Sequence, residues 1–136
     1  MTRPLRLPTV VRAAIARHAV QDAPRECCGF LLGTSGRVAF ALPATNTSTT
    51  PLTRYRVDPR EHVALQRILR RLTPPLAIVG VYHSHPRGPA APSSSDVRES
   101  HVREWAHVIV DLSGRSPGLT AWMIRDGRAL PRPLAR

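Results

Sequence analysis

The chain has 136 residues, with 20 basic side chains against nine acidic ones, a formal net charge of +11 and a pI near 11.6; every basic residue is an arginine. That length suits one domain, able to bury roughly two thirds of its unfolded surface, and falls short of the about 250 residues of a (β/α)8 barrel. A hydrophobic fraction of 42% excludes an intrinsically disordered chain, and no apolar run approaches the roughly 20 residues of a membrane span.

Residues 10–20 place Val10, Val11, Ala14, Ile15 and Ala19 at helical spacing, with Arg12, Arg17 and His18 opposite; Pro8-Thr9 opens this helix and Pro24 follows its end. The apolar runs 27–32 and 37–42 flank Gly33-Thr34-Ser35-Gly36 and predict a hairpin. The polar stretch 44–51 predicts a flexible loop. Asp58-Pro59 opens a second helix through Leu72, with Asp58 as cap and Val63, Leu65, Ile68, Leu69 and Leu72 as its apolar face, before Pro74-Pro75. Residues 76–82 are continuously apolar, as in a central strand buried on both faces. A stiff loop at 86–92, a helix over 93–104, a strand at 107–112, a turn at 113–118 and a strand at 119–125 complete the order. The tail 128–136, with Pro131-Arg132-Pro133, is expected to be loose. This order predicts an α/β fold, one mixed sheet flanked by helices, forming a single domain over residues 1–136.

The charge tests for nucleic-acid binding. The arginines run from Arg3 to Arg136, with no cluster denser than Arg67, Arg70 and Arg71, and the six aromatics are spread singly, so no stacking platform is visible. A GC-rich coding sequence accounts for arginine without lysine, and a nucleic-acid partner is not expected. The two cysteines, Cys27 and Cys28, are neighbours, which strain keeps from a structural disulfide. They are expected inside as small apolar groups, in a cytoplasmic protein. The N-terminal stretch through Arg17 has no apolar core of a leader peptide, and no membrane association is expected.

Chemistry concentrates in Tyr82-His83-Ser84-His85-Pro86 and Asp96. Residues two apart on a strand point the same way, so His83 and His85 can present two imidazoles to one point at the strand's carboxyl end. Asp96, in the first turn of the next helix, can fold back to the same point. Two histidines and a carboxylate suit zinc with a fourth position open. Two alternatives stand beside this reading: polar residues where a strand leaves the core, and an S-x-x-D capping box from Ser93 to Asp96. Ser93 can cap while Asp96 turns inward. Among other H-x-H patterns, the metallo-β-lactamase one lacks its Asp-His because Arg87 and Gly88 stand there. Pro89 and Ala90 replace the cupin glutamate, and the P-C-x-x-C of zinc deaminases is absent.

Glu26, His83-Ser84-His85-Pro86 and Ser93-Ser94-Ser95-Asp96 together resemble the signature of the JAMM (MPN+, JAB) zinc metalloproteases. The likeness extends over about residues 8–127, through Pro24-Arg25-Glu26, the run 27–33, Tyr55-Arg56-Val57-Asp58-Pro59 and residues 122–127. The resemblance implies the cytidine-deaminase-like MPN/JAB fold. It implies that His83, His85 and Asp96 bind one zinc ion with a water completing the shell. Glu26 would be general base and acid, and Ser93 would stabilise the oxyanion. It further implies a peptidase or isopeptidase that cuts an amide at the diglycine tail of a ubiquitin-like protein. The small prokaryotic members, which act on sulfur carriers and release, for example, cysteine formed there, are the nearest likeness. The tail could add as a strand beside a sheet edge, with the loop 45–55 as the groove's other wall. His101 and His107 fall outside the motif and are expected at the surface or a strand edge. A metal-free interaction scaffold and a DNA-linked JAB-domain protein are the alternatives. The arginines would then steer an acidic carrier.

Overall fold

The computed structural model describes residues 3–136; Met1 and Thr2, which open the stretch read above for a leader, lie outside it. Among the described residues there are eight strands and three helices. They are β1 (Leu5–Arg6), α1 (Thr9–Asp22), β2 (Cys28–Thr34), β3 (Arg37–Ala44), α2 (Pro59–Leu69), β4 (Ala77–His85), α3 (Ser94–Glu99), β5 (Ala106–Asp111), β6 (Gly118–Arg125), β7 (Arg128–Arg132) and β8 (Leu134–Ala135). All the strands join one mixed sheet in the order β7-β6-β5-β4-β2-β3-β1-β8. The expected α/β class and flanked mixed sheet are what the molecule adopts. No helix among the described residues is long and apolar enough to cross a membrane.

Two apolar layers hold this sheet. On one face Val11, Ile15 and Ala19 of α1, one helical turn apart, pack with Leu31, Tyr82, Val108 and Val110. On the other, Leu65 and Leu69 of α2 pack on Phe30, Leu32 and Val81. Gly29 is required where β2 crosses Tyr82, because a Cβ there would run into the phenol ring. The α2 cap forms as expected, with the Asp58 carboxylate accepting from the Arg60 N–H. The helix ends at Leu69 rather than Leu72, and Val63, Ile68 and Leu72 are exposed. A shallow contact on the sheet needs only the i, i+4 pair.

Three further expectations change. The helix over 93–104 is only the six residues of α3, since Trp105 must reach the Phe30 layer and the chain must drop into β5 at Ala106. The central strand is half-open at its start, where Ala77 is exposed, and becomes fully buried only from Gly80 to His85. The tail is not loose. Asp126 and Gly127, both with positive φ (52° and 71°), make the tight turn that pairs β7 antiparallel to β6, and β8 then runs parallel to β1. Leu5 N–H donates to the Pro133 carbonyl at 2.8 Å and Leu7 N–H to that of Ala135 at 2.7 Å. Because β7 and β8 are the two outermost strands and only Pro133 separates them, the sheet curls until its edges nearly meet.

Candidate metal centre

Alternation along β4 turns His83 and His85 to one face and Ser84 to the other. The two imidazole Nε2 atoms lie 3.0 Å apart, and Asp96 Oδ2 lies 3.1 Å from the first and 3.2 Å from the second. All three side chains are buried. Asp96 reaches this point while remaining in a capping box: its N–H donates to Ser93 Oγ (3.1 Å), and the Ser93 N–H donates to the same Oδ2 (2.8 Å). The capping and inward-facing readings therefore both hold.

Second contacts orient the rings. The Pro89 carbonyl can only accept, so His85 Nδ1 carries the proton of their 2.7 Å hydrogen bond and the Nε2 lone pair faces the centre. His83 stacks on Tyr55, with ring centroids 4.3 Å apart and planes 23° from parallel, and its buried Nδ1 has no hydrogen-bond partner among the described residues. Burial lowers the basicity of His83, against the upward pull of Asp96. Burial pulls His85 down too, but the Asp96 and Pro89 contacts outweigh it and leave it above the ordinary imidazole value. For Asp96, burial acts upward and is overcome by the two histidines and the Ser93 N–H, which hold the carboxyl far below the usual range.

Glu26 sits at the mouth of β2. Its N–H donates to the Pro51 carbonyl (2.7 Å) and its carbonyl accepts from Asn46 Nδ2 (2.9 Å). The side chain is buried, and Oε1 has no hydrogen-bond partner among the described residues. Burial pushes its carboxyl up to about 7, with His85 opposing and Asp96 adding to the rise. Ligand atoms of Glu26, His83 and His85 lie within 4.8 Å of one another, a buried set compatible with a metal ion. Ser93, more exposed, offers its hydroxyl beside Asp96.

The stretch 44–51, expected to be a flexible loop, is instead tied down by the Asn46 side chain. Asn46 donates to the carbonyls of Glu26 and Arg54 and accepts the N–H groups of Ser48 and Arg56. At its start the Glu61 carboxylate takes both the N–H and the hydroxyl of Thr45. Ser84, between the two histidines, makes a second tie of this kind. Its hydroxyl accepts the Cys27 N–H at 2.8 Å and its N–H donates to the Cys27 carbonyl at 3.1 Å, which fastens Glu26's neighbour to the histidine strand. An Asn in a low-complexity run and the middle serine of H-S-H carry no periodic signal. Tyr55 and Pro89 were legible only as flanking residues.

A cleft of about 680 Å³ opens from Asp96 between the loop after β3 and the segment after α3, with Thr47, Tyr55, His62, His101 and Trp105 on its walls. The loop 45–55 does form one wall. His101 is exposed there; His107, by contrast, is buried on β5 with Nε2 3.3 Å from Ser100 Oγ, not at a surface or edge. Cys27 and Cys28 are free and fully buried, as expected.

Comparison with known proteins agrees with this layout. The chain is 38% identical over 112 residues to a probable TtuB-protein conjugate cleaving protease of Thermus thermophilus, covering 82% of this chain and 70% of that protein. It is 34% identical over 134 residues to a CysO-cysteine peptidase of Mycobacterium bovis, covering 92% and 88%. The solution structure of protein DSY2949 from Desulfitobacterium hafniense superposes with a TM-score of 0.84 at 25% identity, covering 96% of this chain and 90% of that one. The family model of the prokaryotic homologs of the JAB domain matches residues 8–125, and the chain belongs to that family.

Proposed function

We propose that this chain is a zinc-dependent peptidase that hydrolyses an amide at the C-terminal diglycine tail of a ubiquitin-like or sulfur-carrier protein, releasing cysteine or another adduct. The observation that carries this reading is the convergence of two imidazole nitrogens and a carboxylate oxygen, 3.0–3.2 Å apart, beside a buried Glu26 oxygen with no partner among the described residues. A tetrahedral zinc with bonds of about 2.0 Å spaces its ligand atoms about 3.3 Å apart, so the set has the right size and donor chemistry. Glu26 belongs to the same buried group, but Asp96 is the carboxylate in contact with both histidines. We therefore assign His83, His85 and Asp96 as ligands and Glu26 as the proton carrier. Zinc, when bound, supplies Lewis acidity that brings the pKa of a water from about 16 toward about 7.

The protein's own groups then divide the remaining work. Glu26 Oε1, free of other partners, takes the proton of the attacking water and hands it to the leaving amine. Ser93 Oγ accepts from the Asp96 N–H, so its hydroxyl proton is available to an oxyanion. The cleft beside Asp96 takes a thin extended tail between the loop after β3 and the segment after α3. The T. thermophilus and M. bovis relatives, named for TtuB conjugates and CysO-cysteine, support the substrate class. The excess of arginine suits an acidic carrier, whose association should slow as salt screens the attraction.

The test is to load the protein with zinc and offer carriers ending in diglycine-cysteine or a lysine-linked adduct, following intact mass. Cleavage is expected, lost on chelation and restored by zinc. Cleavage that survives chelation or Glu26→Ala would refute the mechanism. DNA binding without cleavage would favour the DNA-linked alternative, and carrier binding without cleavage the scaffold.

A further inference from the structure

A second cavity, of about 780 Å³, opens at the far end of the sheet from the histidines, beside the first residues of β4 and the turn between β2 and β3. Three arginines from distant parts of the chain converge on it: Arg3 before β1, Arg125 at the end of β6 and Arg132 at the end of β7. They meet there because the curled sheet brings its two edges together. Among the described residues, no carboxylate oxygen lies within 4.0 Å of any of the three. Glu104 is on the wall but pairs with none of them.

Arg132 is held in place rather than free to swing. Its Nε donates to the Arg3 carbonyl at 2.9 Å, and Nη1 lies 3.4 Å from Met123 Sδ. The other guanidinium nitrogen, Nη2, lies beside Gly36, which has no side chain to cover it. Half-burial and the neighbouring Arg125 charge both act against the protonated form of Arg132, as expected of cations gathered without a counter-ion. With Nε committed to a carbonyl and one Nη1 donor to the sulfur, Nη2 and the second Nη1 N–H remain to contact an anion. Trp105, half-buried, and Ile78 supply an apolar wall beside the arginines.

We propose that this cavity binds the phosphate end of a small phosphorylated molecule, with Arg3, Arg125 and Arg132 as the anion contacts and the Trp105 side taking the organic part. The two cavities share Val102 and Trp105 on their walls, but the arginine contacts belong to this one alone, and the proposal does not depend on the peptidase reading.

The probes are inorganic pyrophosphate and ADP, titrated into the zinc-free full chain at constant ionic strength, with Tm and calorimetric Kd as readouts. A saturable rise in Tm is expected for both, with ADP the tighter. The Arg125 side chain makes no hydrogen bond among the described residues, and Arg125→Gln should weaken binding about tenfold, as should Arg132→Gln. Arg115→Gln, in the turn at the opposite end of the sheet, removes the same charge and should leave Kd unchanged. A non-saturable response, or an equal loss in Arg115→Gln, would show general charge attraction and overturn the site. Equal affinity for pyrophosphate and ADP would overturn the assignment of the Trp105 wall.

Discussion

Asn46 Nδ2 donates a 2.9 Å hydrogen bond to the backbone carbonyl of Glu26, so the proposed proton carrier is held by a loop 20 residues further along the chain. The same side chain closes three other bonds within that loop. Asn46→Ala removes all four. We expect a fall in kcat of about tenfold to 10²-fold from misplacing Glu26, and a loss of about 1–3 kcal/mol in stability. Kinetics and urea unfolding of the same variant separate the two effects. Unchanged kcat would mean that the loop does not position Glu26.

Glu26 and Asp96 are both buried carboxylates at the centre, yet their replacement should give different phenotypes. Glu26→Gln should keep zinc at one equivalent and lose about 10²–10⁴ in kcat. Asp96→Asn should lose the metal itself, because this carboxylate contacts both histidines. Metal analysis after dialysis decides. Retained zinc in Asp96→Asn would exchange the roles assigned to the two acids.

Ser93→Ala keeps the backbone N–H that orients Asp96 Oδ2 but removes the hydroxyl. Zinc content should be unchanged and kcat should fall about 10²–10³-fold. The lost cap costs about 1 kcal/mol of stability. Normal kcat with only the stability loss would reduce Ser93 to a cap.

Burial pushes the Cys27 thiol up to about 11 and the Cys28 thiol up to about 12. At pH 8 both are protonated as well as hidden, so iodoacetamide should modify neither in the native protein and both in urea. Rapid native labelling would show that the start of β2 opens readily.

His107 is buried, and its basicity is lowered to about 4, chiefly by desolvation, with His83 adding and Asp96 opposing. The folded protein holds this ring neutral while the unfolded chain takes a proton near 6.5. The contribution is therefore intact above pH 6.5 and is lost progressively as pH falls toward 4. His107→Gln should flatten that part of the stability curve of the zinc-free protein by a few kcal/mol, leaving the titration of His83 and His85 common to both proteins. Parallel curves would show that His107 is not the sensitive group.

Much of the site was legible because its chemistry sits at short, regular spacings. His83 and His85 obey strand alternation, and Ser93 to Asp96 obeys the first turn of a helix. The hairpin and α1 were legible for the same reason. What escaped depends on contacts between remote segments. The hold of Asn46 on Glu26 and the clasp of Ser84 on Cys27 follow no periodicity. Residues 128–132 lack a strand's alternation, and only the Asp126-Gly127 turn announces that they fold back on β6. The short α3 follows from Trp105 seeking the apolar layer of α2, which local propensity cannot register.

β8 runs parallel beside β1, with Leu134 and Ala135 opposite Leu5 and Arg6, so the last strand finishes the rim that the first one opens. Cutting the chain before Pro133 would strip the cover from β1 and turn a finished rim into a ragged one, inviting copies of the protein to pair along it.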